Sequence, residues 1–225
     1  MALGPGASQT ELWKQIESYR DALGSRTGSE TQAWIAEHPL PSIDKNCQPT
    51  ERSLSSVASQ HGMTQGELAS RLAGQLALDV GGGFSMLHNT VSRLGGNVIT
   101  LDTPATFSKG VIENGVMGLA QRMPFRCSNF DLVLATYSLP SHAAAPRDIE
   151  MFIDEGLRVL KPGGSFLIAP LTVHDTSSQL KNRTWYYFLD RLINMANNSP
   201  HELELKLDES QTKRFYLPAA VEITK

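Results

Sequence analysis

The sequence has few cysteines, no long apolar run and no signal-peptide pattern, and each shortage excludes a class of protein. Its two cysteines, Cys47 and Cys127, do not have the spacing of metal ligands. So few cysteines suit a reducing compartment better than a disulfide scaffold, and we expect a cytoplasmic protein. No apolar run approaches the roughly 20 residues that a membrane helix needs. The N-terminus lacks the charged and apolar regions of a signal peptide.

Charge of one sign is also scarce. The formal net charge is −3 over 225 residues, and no long basic run occurs. This balance argues against attachment to nucleic acid or to an anionic membrane through bulk electrostatics. The length suits one α/β domain with an additional segment.

The first 74 residues have helical patterns. Ser8 and Glu11 have the spacing of a capping box, and apolar residues on one helical face follow as far as a break predicted at 24–28. Further helices are predicted around Trp34 and over 50–60. Thr64 and Glu67 form a second capping-box pattern, which opens a helix ending near residue 74. We therefore expect a helical cap or lid over residues 1–74, ahead of a sheet domain over residues 75–225.

Apolar strands and helices alternate after residue 75. Nearly uniform apolar strands separated by helices indicate a parallel sheet that is covered on both faces. A hairpin pattern near the C-terminus adds an antiparallel edge strand, so we expect an α/β fold with a doubly wound, Rossmann-like, mostly parallel sheet. Strands are predicted at 76–80, 97–101, 116–119, 130–136 and 165–171, and helices at 85–94, 105–113, 146–160 and 178–197, with a tight turn at 161–164.

A glycine turn directly follows the first of these strands. Asp79 lies near the strand's end, and three glycines begin at Gly81. Glycine lets backbone N–H groups approach a ligand closely, and a strand–glycine turn–helix unit is typical of sites for nucleotides and related cofactors. A dinucleotide-binding turn would have a third spaced glycine where Met86 stands, which disfavours an NAD-type oxidoreductase.

A second acid, Asp102, ends the next strand about 20 residues after the glycines. At that separation a carboxylate can reach ribose hydroxyls, and its two oxygens suit a vicinal diol. Structural alternatives remain for both acids. Asp102 could instead cap the following helix, and Asp79 could accept N–H groups that steady the glycine turn.

These motifs resemble, in order and spacing, those of the class I S-adenosylmethionine methyltransferases. The resemblance covers residues 74–172 and implies S-adenosyl-L-methionine as cofactor. The family's acid-x-G-x-G-x-G pattern is matched by Asp79, Gly81, Gly83 and Ser85, where serine replaces the last glycine. The family's later loop, strand and glycine-turn motifs are matched in order by residues 120–125, 129–134 and 155–168.

The resemblance also implies roles for individual residues. Asp79 would orient the amino group of the cofactor's methionine part. Leu119 stands where many relatives have an acid that accepts from the adenine amino group; it could pack on the ring while the Ala120 N–H contacts it. Ala135 belongs to the end of the fourth strand, beside the departing methyl group. The predicted cofactor-binding residues are Asp79, Gly81, Gly83, Ser85, Asp102, Thr103, Leu119, Ala120 and Ala135.

The expected function is methyl transfer to a small-molecule acceptor, with no metal and no nucleic-acid partner. The Asn/Asp-Pro-Pro-aromatic signature of the family's amino-methylating enzymes is absent after the fourth strand, and oxygen, nitrogen, carbon and sulfur acceptors remain open. His142 and His174 are the candidate general bases, because each follows a strand that ends at the crevice. The alternative for each is a solvated loop histidine.

A second function from a different class also fits the sequence. The chain could keep the methyltransferase fold without its chemistry and serve as a cofactor-binding or partner-binding scaffold. Ser85 in place of a glycine, Leu119 in place of an acid, and the lack of an obvious base favour this alternative. The oligomeric state is left open by the sequence.

Overall fold

The computed structural model describes residues 8–27, 52–136, 138, 146–169, 171, 179–206 and 220–225. Helices and strands are numbered separately in chain order within these ranges. The helices are α1 (Gln9–Thr27), α2 (Leu54–Gln60), α3 (Gln65–Leu72), α4 (Leu87–Ser92), α5 (Pro104–Phe107), α6 (Pro146–Val159) and α7 (Gln179–Asn198). The strands are β1 (Leu76–Val80), β2 (Asn97–Asp102), β3 (Gly115–Met117), β4 (Phe130–Thr136), β5 (Leu160–Ala169), β6 (Glu202–Lys206) and β7 (Ala220–Thr224).

The seven strands form one sheet in the order β3-β2-β1-β4-β5-β7-β6. Neighbouring strands from β3 to β5 are parallel, whereas β7 runs antiparallel to both β5 and β6. The predicted Rossmann-like sheet with an antiparallel C-terminal pair is therefore confirmed, with β6 outermost. The direction in which successive strands are added to the sheet reverses between β1 and β4. Ligands of open α/β sheets bind in the crevice at such a switch point.

The sheet separates two apolar clusters. Successive side chains of β1 point to opposite faces, so Leu78 and Val80 join a cluster with α1, α6 and α7, whereas Ala77 joins a cluster with α2, α3 and α4. Leu54, Val57, Leu68 and Leu72 of α2 and α3 are buried in this second cluster. These two helices therefore cover a face of the sheet and share its core. The role of residues 1–74 as a lid stays a prediction.

Both capping boxes expected from the sequence are present. The Glu67 N–H donates to Thr64 Oγ1 over 3.2 Å, and the Thr64 N–H donates to Glu67 Oε2 over 2.6 Å. At the start of α1, the Ser8 N–H donates to Glu11 Oε2 over 2.8 Å and the Glu11 N–H donates to Ser8 Oγ over 3.3 Å. The helix break predicted at 24–28 is wrong, because α1 continues to Thr27.

Two further boundaries differ from the sequence prediction. The glycine turn at 161–164 lies inside β5 as a bulge, because Leu160 already pairs with Phe130 before the register shifts. There the Lys161 ammonium donates to Asp131 Oδ1 over 2.7 Å, and Gly163 takes a left-handed φ of +76°. Helix α5 ends at Phe107, far short of 113. Gly110 follows, and a Cβ atom there would lie 2.9 Å from ring atoms of Phe84.

The exposed edge of β6 is covered by a side chain of α1. Gln9 Nε2 donates to the Leu205 carbonyl over 2.8 Å, and the Leu205 N–H donates to Gln9 Oε1 over 2.9 Å. The amide of Gln9 therefore satisfies the two backbone groups that another strand would otherwise use. The contact joins the first turn of α1 to β6.

Replacing Gln9 with Ala should lower the free energy of unfolding by about 1–2 kcal/mol, since two hydrogen bonds are lost. Urea denaturation followed by circular dichroism measures the change. Lys14→Ala is the matched control, because Lys14 is exposed on the same helix and should unfold like the wild type. Equal stability of the two variants would show that the Gln9 contact contributes nothing.

Candidate functional site

The turn after β1 can be built only from glycines. Gly81 and Gly83 have left-handed φ values of +68° and +58°, a region that disfavours other residues. At Gly82 a Cβ atom would lie 2.5 Å from Asp79 Oδ2 and 2.7 Å from Thr100 Cγ2. The backbone therefore passes directly over the Asp79 carboxyl group with no room for a side chain.

Asp79 is a buried acid with unused acceptors. Its side chain is 1% exposed, and neither oxygen has a hydrogen-bond partner of ordinary geometry among the described residues. Burial raises its pKa, and the nearby Arg52 charge and Ser85 hydroxyl oppose this shift only in part. Asp79 therefore does not steady the glycine turn by accepting its N–H groups, as the structural alternative required. It is a desolvated carboxyl group at the base of the crevice.

Asp102 is tied into its surroundings. Its Oδ2 accepts from the Gly83 N–H over 2.8 Å, and its Oδ1 accepts from the Thr103 N–H and the Thr106 hydroxyl, each over 2.7 Å. The carboxylate thus joins the end of β2 to the glycine turn and to the start of α5, but the N-cap of that helix is Thr103, and among the described residues no backbone N–H of α5 donates to Asp102. One lone pair of Oδ2 is not used by these contacts, and contact with a ribose stays a prediction.

The chain after β3 offers apolar surface at the carboxyl end of the sheet. Met117 is 53% exposed and Leu119 is 37% exposed. A tight turn follows, in which the Arg122 N–H donates to the Leu119 carbonyl over 3.0 Å and half-buried Ala120 lies between them. Buried Met123 packs in the core. The predicted contacts of Leu119 and Ala120 with an adenine ring remain compatible with this arrangement.

Arg52, which the sequence analysis did not select, lies at the centre of the site. It directly precedes the N-cap residue of α2, and its side chain is buried. Its guanidinium donates to the carbonyl oxygens of Gly81 and Thr136, at the ends of β1 and β4. Its own carbonyl accepts from the Met86 N–H over 3.1 Å. Arg52 thus connects the glycine turn with the fourth strand.

His61 reaches the same end of β4 from the turn after α2. Its ring is fully buried, and Nε2 lies 2.9 Å from the hydroxyl of Thr136. Burial, aided by the charges of Arg52 and Arg71 and opposed by Glu222, lowers its pKa to about 3. His61 is therefore a neutral hydrogen-bonding group at physiological pH. Thr136 is held twice, through its carbonyl by Arg52 and through its hydroxyl by His61.

The structure brings most of the predicted site residues to one edge of the sheet. Ala135 differs: its side chain is fully buried in the cluster with α1, α6 and α7, which leaves only its backbone for a ligand. The candidate bases His142 and His174 lie outside the described residues. The residues at the carboxyl ends of β1, β2 and β3 are Asp79, Gly81, Gly83, Ser85, Asp102, Thr103, Leu119 and Ala120.

Comparison with known proteins gives the family. Residues 78–168 match a family model described as a methyltransferase domain. An uncharacterised methyltransferase from Synechocystis is 34% identical over 105 residues, which is 44% of this chain and 48% of that protein. Residues 78–168 are therefore similar to a methyltransferase domain. The chain spans about half the length of the curated relative it matches.

Solved methyltransferase structures are similar to larger parts of the chain at lower identity. A SAM-dependent methyltransferase from Aquifex aeolicus is 14% identical, covers 70% of this chain and 84% of its own, and has a TM-score of 0.44. A TehB-like SAM-dependent methyltransferase from Corynebacterium glutamicum is 17% identical, with coverage of 70% and 86% and a TM-score of 0.48. At these TM-scores the two structural similarities do not assign a function to the domain.

The described ranges contain neither a candidate metal site nor a helix suited to span a membrane. No group of three or more His, Cys, Asp or Glu side chains there is arranged to hold a metal ion. No helix in those ranges combines the length and the apolar character needed to cross a membrane.

Stability should depend on pH through His61. The pKa of about 3 in the folded protein lies below the ordinary value of 6.5. Between these two pH values the His61 ring is therefore protonated in the unfolded chain and neutral in the folded protein. Stability should therefore fall as pH drops from about 6.5 towards 3, by about 1.4 kcal/mol per pH unit. His61→Gln keeps a polar side chain that does not titrate.

Urea denaturation at pH 7.5 and pH 5 tests this expectation. The stability advantage of the wild type over His61→Gln should shrink at pH 5 by about 2 kcal/mol. His201→Gln, at a histidine that is not buried, is the control, and its difference from the wild type should be the same at both pH values. An advantage over His61→Gln that is independent of pH would contradict the role given to this ring.

Proposed function

We propose that this chain is an S-adenosyl-L-methionine-dependent methyltransferase. The observation that carries the proposal is the buried Asp79 carboxyl group, whose oxygens have no hydrogen-bond partner among the described residues, beneath a glycine turn in a domain that matches a methyltransferase model. Leaving a buried polar group unsatisfied is costly, so such a group indicates that a ligand completes the site. A cationic ammonium group, like that of the cofactor's methionine part, fits both the charge and the vacant acceptors.

The other residues at the same edge suit the remaining parts of that cofactor. The unused lone pair of Asp102 can accept from a ribose hydroxyl, and exposed Met117 and Leu119 offer apolar surface for a flat ring. When bound, S-adenosyl-L-methionine supplies an electrophilic methyl group on a sulfonium. The protein's own tasks are then to orient the acceptor and to exclude water. Arg52 and His61 support those tasks by holding the end of β4.

The acceptor we propose is a small molecule in the cytoplasm. A net charge of −3 argues against attachment to nucleic acid through bulk electrostatics. Residues 135–138, Ala-Thr-Tyr-Ser, stand where amino-methylating relatives have Asn/Asp-Pro-Pro-aromatic. Ser138 has a buried hydroxyl with no partner among the described residues. His142 and His174 remain the hypotheses for a general base, should the acceptor have to lose a proton.

The second candidate is a catalytically silent scaffold that keeps cofactor or partner binding. Two substitutions relative to the family's pattern favour it, Ser85 for a glycine and Leu119 for an acid. Tight cofactor binding without turnover of any acceptor in a screen of small phenols, amines and acids would make it the better account.

S-adenosylhomocysteine and S-adenosylmethionine should bind and stabilise the protein. At about 100 times its dissociation constant, either ligand should add about 2.7 kcal/mol to the free energy of unfolding. Isothermal titration calorimetry and thermal-shift measurements provide the test, with NAD as the control ligand. No binding at millimolar S-adenosylhomocysteine, or tighter binding of NAD, would overturn the cofactor assignment.

Asp102→Ala should weaken S-adenosylhomocysteine binding by about 1.5–3 kcal/mol, the range for a hydrogen bond to a charged group. Thr106→Val is the matched control, because it removes one contact to Asp102 Oδ1 and keeps the carboxylate. It should bind the ligand like the wild type. If calorimetry gives both variants the wild-type affinity, Asp102 serves only to hold the glycine turn and the start of α5.

A further inference from the structure

One residue holds both ends of the glycine turn. The Arg52 guanidinium donates to the carbonyl of Gly81, where the turn begins, and the Arg52 carbonyl accepts from the N–H of Met86, where α4 is about to begin. The same guanidinium donates to the carbonyl of Thr136 on β4. Arg52 therefore fixes the turn to its own backbone and to the neighbouring strand.

Among the described residues, the Arg52 guanidinium donates its hydrogen bonds to carbonyl oxygens and none to Asp79. Its Nε has no partner among the described residues, and both Asp79 oxygens are likewise unpartnered. Yet the Arg52 charge acts on Asp79 and favours its ionised form. Arg52 thus attracts the carboxylate without occupying the acceptors that a ligand would need.

The charges around Asp79 make this attraction necessary. Burial and the carboxylate of Asp102 on β2 both disfavour a negative charge at Asp79, whereas Arg52, ahead of α2, favours it. His61, which reaches the same region after α2, is neutral. Without Arg52, Asp79 would therefore bind a proton more readily and lose the charge that pairs with an ammonium group.

We infer that Arg52 is a positioning residue of the proposed cofactor site: it holds both ends of the glycine turn and, from its place against Gly81, favours the ionised form of Asp79 that would pair with a cationic group of the ligand. The inference rests on the proposed function, because it concerns the same ligand. A purely structural Arg52 would hold the carbonyls of Gly81 and Thr136 and nothing more. The two roles differ in how binding depends on pH.

The test measures S-adenosylhomocysteine affinity by calorimetry from pH 5.5 to 8.5 in the wild type and three variants. Arg52→Gln removes the charge and keeps a side-chain donor, whereas Arg52→Lys keeps the charge and loses the planar fork. For Arg52→Gln we expect at least tenfold weaker binding at pH 7, and an affinity that falls off at least one pH unit higher than in the wild type. Arg52→Lys should keep the wild-type profile, and Asp79→Asn should bind weakly with little dependence on pH.

A uniformly weaker Arg52→Gln with the wild-type pH profile would overturn the inference and leave Arg52 a structural residue. So would an Asp79→Asn variant that keeps the wild-type profile, which tests the charge link even if Arg52→Gln fails to fold. Carbon-13 NMR titration of the Asp79 carboxyl group in the free protein adds a readout without ligand. The pH midpoint of the Asp79 titration should rise by at least one unit in Arg52→Gln. If that variant does not fold, Arg52→Lys provides the comparison, and its midpoint should stay near the wild-type value.

The wild type separates this inference from the proposed function. If the wild type does not bind S-adenosylhomocysteine at any pH, the cofactor assignment fails. The NMR titration then still decides whether Arg52 controls the charge of Asp79, and an unchanged midpoint in Arg52→Gln would refute that control.

Discussion

The structure of the site depends on a buried carboxyl group whose oxygens have no hydrogen-bond partner of ordinary geometry in the part of the chain that the structure describes. Asp79 lies under the glycine backbone, which passes so close that even a methyl group at Gly82 would collide with its oxygen. A desolvated acid is tolerated only where something offsets the loss of water. Part of that offset comes from Arg52, which lies ahead of α2. The position of α2 and the conformation of the glycine turn are therefore parts of one electrostatic arrangement.

That arrangement gives the two faces of the sheet different characters. On the face covered by α1, α6 and α7, the side chains that point inward from β1 are apolar. On the opposite face, the same strand carries Asp79 beside Thr100 of β2, and the end of β4 carries Thr136. The polar groups gather at the carboxyl ends of the strands, so the second face is apolar at its centre and polar where it meets the crevice. Helices α2 and α3 cover the apolar part, and Arg52 and His61 reach the polar part.

Much of the fold could be predicted from the sequence because its signals are local. The bounds of β1 and β4 follow from apolar runs, and the start of α3 follows from the Thr64–Glu67 capping box. The beginning of β5 could not be predicted, because it depends on where Leu160 meets Phe130 across the sheet. The end of α1 was missed because Gly24 suggests a break that the helix passes through.

The same division applies to the site. Asp79, the glycines and Asp102 belong to short motifs and could be found, whereas Arg52 and His61 contact β4 from 84 and 75 residues away. Nothing in the sequence next to either residue points to that contact. An arginine before a short helix and a histidine after it usually lie on the surface of a protein. Here the packing of α2 on the sheet places both side chains in the interior.

The location of Arg52 has a consequence for how such domains are delimited. The stretch that carries the family's motifs runs from residue 78 to 168, and a fragment cut to those limits would retain each of the recognised motifs. It would nevertheless lack the cation whose charge acts on Asp79 and the ring that holds Thr136. The stretch that matches the family model therefore begins later than the stretch that contains all the charged groups around Asp79. The second stretch includes Arg52, which lies 26 residues before residue 78.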